Sequence, residues 1–444
     1  MSARGRPSDA DGPTPAPTPD IEGSDPGSTR DVDGPLPEPT SDVDNLPAHP
    51  AADDGAADPA GAGPGPSRLR RWGAVVALAA LAPICAEFLV AYLDITGNLA
   101  ESLFAVVFFM PLYGGAAILI REVALRAGLR WQGRALLAAA FGLSMTAIID
   151  LSLWTPTNPD IEFWADLQST TRIPGLDLSA YALVTWVLGH VVMSVLVPQT
   201  VVASTARSLR GRPWLGSIGL VLWSAGFLTV AVAIHLGERD ANDVEAGPVR
   251  LAVSALAVLA VVALAFTRVG RRPGGASDVG ASDVGASAAR STDAGVSDAG
   301  PAAVGASPLA PYALSPERTG ALTPPRPILL IALGAIGMAL VDLAPFTWWA
   351  VAGIVVLAGV VSFAVGRWTR SATWSPAHAA AFAWGALMGR TLLGFASPVP
   401  LGVSVAAKVA HSGVLTVLVL SLGVLMWRGV RRTGHAGIGS SHTS

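Results

Sequence analysis

Seven ionisable side chains stand inside otherwise apolar stretches of this 444-residue chain: Glu87, Asp150, His190, Asp342, Arg390, Lys408 and His411. Carboxylates and imidazoles of this kind can pass a proton or act as a general base. They can also hold a cation, or pair with a base and lock two helices together. An ionisable group within a bilayer costs roughly 2.5–3.5 kcal/mol on insertion scales, so it faces a bundle interior or a watered cavity. Stronger catalytic signatures are missing: the chain has no HExxH, no GxSxG elbow and no Walker loop. A single cysteine, Cys85, excludes an intrachain disulfide and a cysteine-rich metal site. No metal, cofactor or nucleic-acid partner is expected, and the partners expected are the lipid bilayer and a small ligand or ion.

The elements that must position these groups are membrane spans. The chain is 51% hydrophobic and 14% charged, against roughly 25% charged in a soluble domain, and its mean hydropathy is +0.51. The fold class read from this is all-α, a polytopic transmembrane bundle of about ten helices. The spans are predicted at 72–93, 102–121, 135–154, 181–204, 214–236, 251–268, 327–345, 348–366, 377–397 and 403–427, each long enough to cross about 30 Å of hydrocarbon. Residues 1–71 are rich in Pro, Asp, Gly and Ala, and positions 1–67 carry 13 acidic against 3 basic residues. Such a tail is expected to be disordered. It lacks the apolar core of a cleavable signal, so the first span is expected to act as an uncleaved anchor. Residues 269–326, where GASDV repeats in tandem, read as a flexible linker between a six-helix part (72–268) and a four-helix part (327–427), and 428–444 as a short basic tail.

Arginine marks alternate loops. It precedes the first span (Arg68, Arg70, Arg71) and follows the second, fourth, sixth, eighth and tenth (Arg126, Arg207, Arg268, Arg367 and Arg428 among others). The remaining loops are acidic and hold only Arg172, Arg239 and Arg250. By the positive-inside rule both termini are expected in the cytoplasm. Threading at about 1.5 Å per residue puts Glu87 and Asp150 about 22 Å, and Arg390 about 20 Å, from their cytoplasmic ends. Lys408 and His411 fall about 8 and 12 Å below the outer end of the last span. All seven groups then lie at or beyond the midplane. Two readings follow: an outward polar cavity lined by the first, third, fourth, ninth and tenth spans, or structural pairs such as Arg390 with Asp342 or Glu87.

Other residues read as scaffold. Trp72, Trp131, Trp154, Trp214, Trp348, Trp349 and Trp427 sit near span ends as interface anchors. Pro111 and Pro198 kink their helices, and Gly334/Gly337 and Gly353/Gly359 are spaced for close packing. The basic residues are 28 Arg and one Lys, which with the Ala and Gly content suggests a GC-rich bacterial genome and a bacterial cell membrane.

The run Pro111–Glu122, PLYGGAAILIRE, is followed by Trp131 and by Ala140-Phe-Gly-Leu143. It resembles an uncharacterised family of actinobacterial multi-pass membrane proteins that carry PLYGG-x-x-LIRE, a basic stretch with Trp, and a helix opening Ala-Tyr/Phe-Gly-Leu. The likeness extends through Asn158-Pro159, His190 to Ser194 with Pro198, and Pro213 to Gly219. That family is distantly similar to the CPBP intramembrane proteases, which include the CAAX prenyl endopeptidases. The similarity implies a paired Glu-Glu general base with histidines in later helices. Here the corresponding positions read Ser144-Met145-Thr146, and the nearest acid is Asp150. The expectation is therefore a non-enzymatic membrane protein that binds or transports something, with a CPBP-like hydrolase or its inactive relative as the alternative.

Overall fold

The computed structural model describes residues 67–158, 161–242, 246–271 and 321–431. The acidic tail and most of the GASDV linker lie outside these residues, as do positions 432–444. Among the described residues the chain is helical with one two-residue hairpin, β1 (Arg172–Ile173) and β2 (Leu178–Ser179). Nine helices are long and apolar enough to span a membrane: α1 (Arg68–Phe88), α2 (Leu99–Arg126), α3 (Trp131–Ile149), α5 (Ala180–Thr205), α6 (Ser217–Ala241), α7 (Gly247–Ala265), α9 (Trp348–Trp368), α10 (Pro376–Ala396) and α11 (Val405–Arg431). A shorter apolar helix, α8 (Pro327–Asp342), completes the ten. The short α4 (Trp164–Ser169) lies in a loop. The outer faces expose Phe104, Ile218, Val356 and Trp349, the last at 88%. Apolar exposure on this scale marks a surface made for lipid.

Close approaches at small residues join the helices. A Cβ on Gly114 would meet the backbone of Ala79 at 2.5 Å, so α2 crosses α1 almost in backbone contact. Gly334 of α8 lies against Phe382, and Gly385 and Gly389 of α10 lie against Ile331 and Ala335. Gly337, Gly353 and Gly359 have open space around them. The expected packing role thus holds for Gly334 alone, and the Gly385/Gly389 stripe carries most of that crossing. The last helices also seat on the first ones: Gly394 abuts the Leu89 carbonyl, and Gly429 the Ser204 carbonyl.

Four spans carry a π-helical stretch: Ile84–Phe88, Met110–Gly114, Met145–Ile149 and His190–Leu196. Such turns are rare and concentrate at functional sites. Two precede backbone interruptions. The α1 helix stops at Phe88 and α3 at Ile149, about five residues before the ends expected from hydropathy. Asp150 is therefore not inside a span but follows the last turn of α3, accepting a hydrogen bond from the Ser152 amide at 2.9 Å. The segment beyond it folds back on itself: Trp164 donates to the Thr155 carbonyl at 2.8 Å and Gln168 to the Ser152 carbonyl at 2.8 Å.

Candidate functional site

Three of the π-helical stretches meet around Glu87. This half-buried carboxylate accepts hydrogen bonds from two tyrosine hydroxyls, Tyr92 on one oxygen and Tyr113 on the other. Only four tyrosines occur in the chain, and half of them serve this one group. A buried tyrosine hydroxyl needs a partner, and a carboxylate that accepts two donors is held in one rotamer with its charge-assisted bonds made. The Tyr113 ring stacks on His190, centroids 5.8 Å apart and tilted by 23°. Phe141 stands edge-on to both rings, at 6.0 Å from Tyr113 and 5.6 Å from His190. His190 Nδ1 lies 3.0 Å from the Ser194 hydroxyl, one turn on. A Cβ at Gly142 would come within 3.0 Å of the His190 Cβ, so that glycine leaves room for the imidazole.

Each π-helical stretch supplies one part. The first contains Glu87, the second Tyr113 and the fourth opens on His190, while Asp150 directly follows the third. An extra residue per turn rotates the side chains that follow, so three helices can aim Glu87, Tyr113 and His190 at one point without an extra loop.

Asp150 lies within Coulomb range of Glu87, and Arg390 within range of Tyr92 and His190. Arg390 forms its ion pair with Asp342, joining α10 to α8; the Asp342 Oδ2 and the Arg390 Nε are buried without hydrogen-bond partners among the described residues. Lys408 is turned away from the acids. Its ammonium donates to the carbonyls of Ser397 and Pro398 and to the Ser397 hydroxyl, closing the C-terminus of α10. His411 accepts from the Gly97 amide at 3.5 Å. The groups are thus brought into three arrangements, Glu87 and His190 around Tyr113, Asp342 with Arg390, and Lys408 and His411 holding chain ends, while Asp150 accepts from the Ser152 amide beyond α3.

Three participants escaped the sequence reading: Tyr92, Tyr113 and Ser194. The scarcity of tyrosine in so apolar a chain was the available signal, together with Tyr92 following Glu87 by five residues. His235 of α6 also meets this region, its Nδ1 2.6 Å from the Ile148 carbonyl.

The Arg121-Glu122 pair builds a second network at the other end of the bundle. Glu122 is fully buried and pairs with Arg121 at 2.7 Å and with Arg126. It also accepts from the Trp214 amide at 2.9 Å. Arg121 donates to the carbonyls of Leu209 and Arg212 and lies 3.4 Å over the Trp214 ring. Trp214 is therefore no interface anchor. It is buried, the lid on a salt bridge that pins the 206–216 loop.

No protein-family model, curated protein or solved structure matches the chain. The fold defines a multi-pass integral membrane protein. Among the described residues no three His, Cys, Asp or Glu side chains group as a metal site.

Proposed function

We propose that this protein binds a small monovalent cation, an alkali ion or a protonated amine, at Glu87 within a bacterial cell membrane. One observation carries the reading: Glu87 is fixed by two neutral hydroxyls, and among the described residues no basic side chain forms an ion pair with it. Among the described residues neither Glu87 nor Asp150 has a basic partner, because Arg390 is committed to Asp342 and Lys408 to the end of α10. A carboxylate that binds a cation in a low dielectric gains the counter-ion its ionised form needs there. Tyr92 is 41% exposed, which supplies an entrance at that edge. The positive-inside pattern supports an outward-facing site.

The test is thermal unfolding of the purified full chain at constant ionic strength in sodium, potassium or methylammonium chloride, against the bulky choline salt. One of the three should raise the unfolding temperature of the wild type and leave Glu87→Gln unmoved. Equal temperatures in all salts, or an unchanged response in Glu87→Gln, would refute the reading.

A second reading, hydrolysis by a relative of the CPBP enzymes, is favoured by Glu87 and His190 flanking the same tyrosine ring. Two separate bases would then replace the family's acidic pair. His190→Ala and Glu87→Gln sharing a proteolytic defect that Lys408→Ala lacks would select it.

A further inference from the structure

Away from the Glu87 site, an open groove of about 500 Å³ runs between α1, α5 and α11. Ala80, Ile84, Val201, Leu418 and Leu422 line it, and Arg428 stands at one end. We propose that this groove holds one acyl chain of an anionic phospholipid, with the lipid phosphate on Arg428 and Arg70.

A volume of about 500 Å³ suits one acyl chain rather than a helix, which is about 10–12 Å across with its side chains. The walls are apolar apart from Thr205 and Arg428, and the groove is open along its side, where acyl chains are the surrounding solvent. The mouth has one sign of charge. Arg70 is exposed and lies seven residues, two helical turns, before Ala77, on the same stripe of α1. Arg207 follows the groove residue Thr205 by two positions, and its Nε is buried with no hydrogen-bond partner among the described residues. Neither α1 before Glu87, nor 197–216, nor α11 contains an acidic residue to neutralise these arginines. A phosphodiester supplies that charge, and its oxygens suit the planar donors of arginine. Basic pockets between helices at the arginine-rich end of a bundle recognise anionic headgroups on this basis.

Delipidated full-length protein, titrated with dioleoyl phosphatidylglycerol and followed by native mass spectrometry, tests the assignment. One phosphatidylglycerol should remain bound, and phosphatidylcholine should bind more weakly. Arg428→Ala and Arg70→Ala should each weaken phosphatidylglycerol roughly fivefold, the equivalent of one interfacial arginine. Ala80→Trp, which fills the groove, should abolish the adduct; if that variant does not fold, Leu422→Trp replaces it. Equal binding of both lipids would overturn the headgroup assignment. Retention by the folded tryptophan variant would overturn the groove. Displacement of the lipid by millimolar inorganic phosphate would mean that the arginines bind the anion alone.

Discussion

Glu87 accepts hydrogen bonds from the hydroxyls of Tyr92 and Tyr113, one on each carboxylate oxygen. The two donors differ in surroundings: Tyr113 is 2% exposed and Tyr92 41%. Loss of a hydrogen bond to a charged group costs about 1.5–3 kcal/mol when the remaining partner is buried. Tyr113→Phe is therefore expected to lose close to that amount in detergent unfolding and Tyr92→Phe less, because the Tyr92 ring is the more exposed of the two. Equal losses would mean that the two tyrosines see the same environment. Lys408 obeys the same rule with the sign of charge reversed. Lys408→Met keeps the apolar stem but leaves the carbonyls of Ser397 and Pro398 without their donor. About 1–3 kcal/mol of destabilisation is expected, with cation binding at Glu87 unchanged.

At the scale of helices, PLYGG and LIRE divide the labour within α2. Gly114 permits the crossing with Ala79, and the rigid partner there is backbone rather than a movable side chain. Gly114→Leu should therefore prevent assembly, seen as loss of folded protein in the membrane fraction; normal levels would contradict the crossing. Glu122 serves the other end of α2. Removing one partner of a buried pair costs about 3–5 kcal/mol. Glu122→Gln, which strands Arg121 and Arg126 together, should lower unfolding stability by that order and free the 206–216 loop to proteolysis. Nine of the ten expected spans were legible because hydropathy over some twenty residues reports exposure to lipid; the expected 327–345 span is the shorter helix Pro327–Asp342. What hydropathy averages away is local. It carried the first and third spans past Phe88 and Ile149, since apolar residues continue after the helix stops, and so placed Asp150 one element too early. It could not separate Trp214, buried over a guanidinium, from Trp349, exposed to lipid. Nor does glycine spacing say which stripe meets a neighbour: Gly353 and Gly359 face open space while Gly385 and Gly389 touch backbone. The site itself was only half visible, because an ionisable residue stands out in an apolar run whereas the π-helical turns and the tyrosines that join Glu87 to His190 depend on contacts between distant helices.

For the molecule as a whole, the arginine pattern in the loops and the contacts among helix ends point to the same arrangement. Arg126 donates to the Leu215 carbonyl at 2.7 Å, and Arg130 to the Arg271 carbonyl at 3.0 Å. Gly366 approaches Trp131, and Gly429 the Ser204 carbonyl. The arginine-bearing ends of α2, α5, α7, α9 and α11 are thus gathered on one side of the bundle. Two of the three arginines in the acidic loops share one carboxylate: Arg172 and Arg250 both pair with Asp177, at 3.1 and 3.3 Å. The positive-inside rule counts arginines rather than net charge, and three in the acidic loops against the many at the gathered ends leave a clear asymmetry. A reporter fused at Gly247, where α7 begins, is accordingly expected on the non-cytoplasmic face, and one fused after Arg431 in the cytoplasm. A cytoplasmic signal from Gly247 would invert the orientation, and the Glu87 site would then open toward the cell interior. Asp177→Asn offers a control within the same fusion. It frees both arginines without changing the hydropathy of any span, so any shift of the reporter toward the cytoplasm would measure how much that one aspartate contributes to orientation.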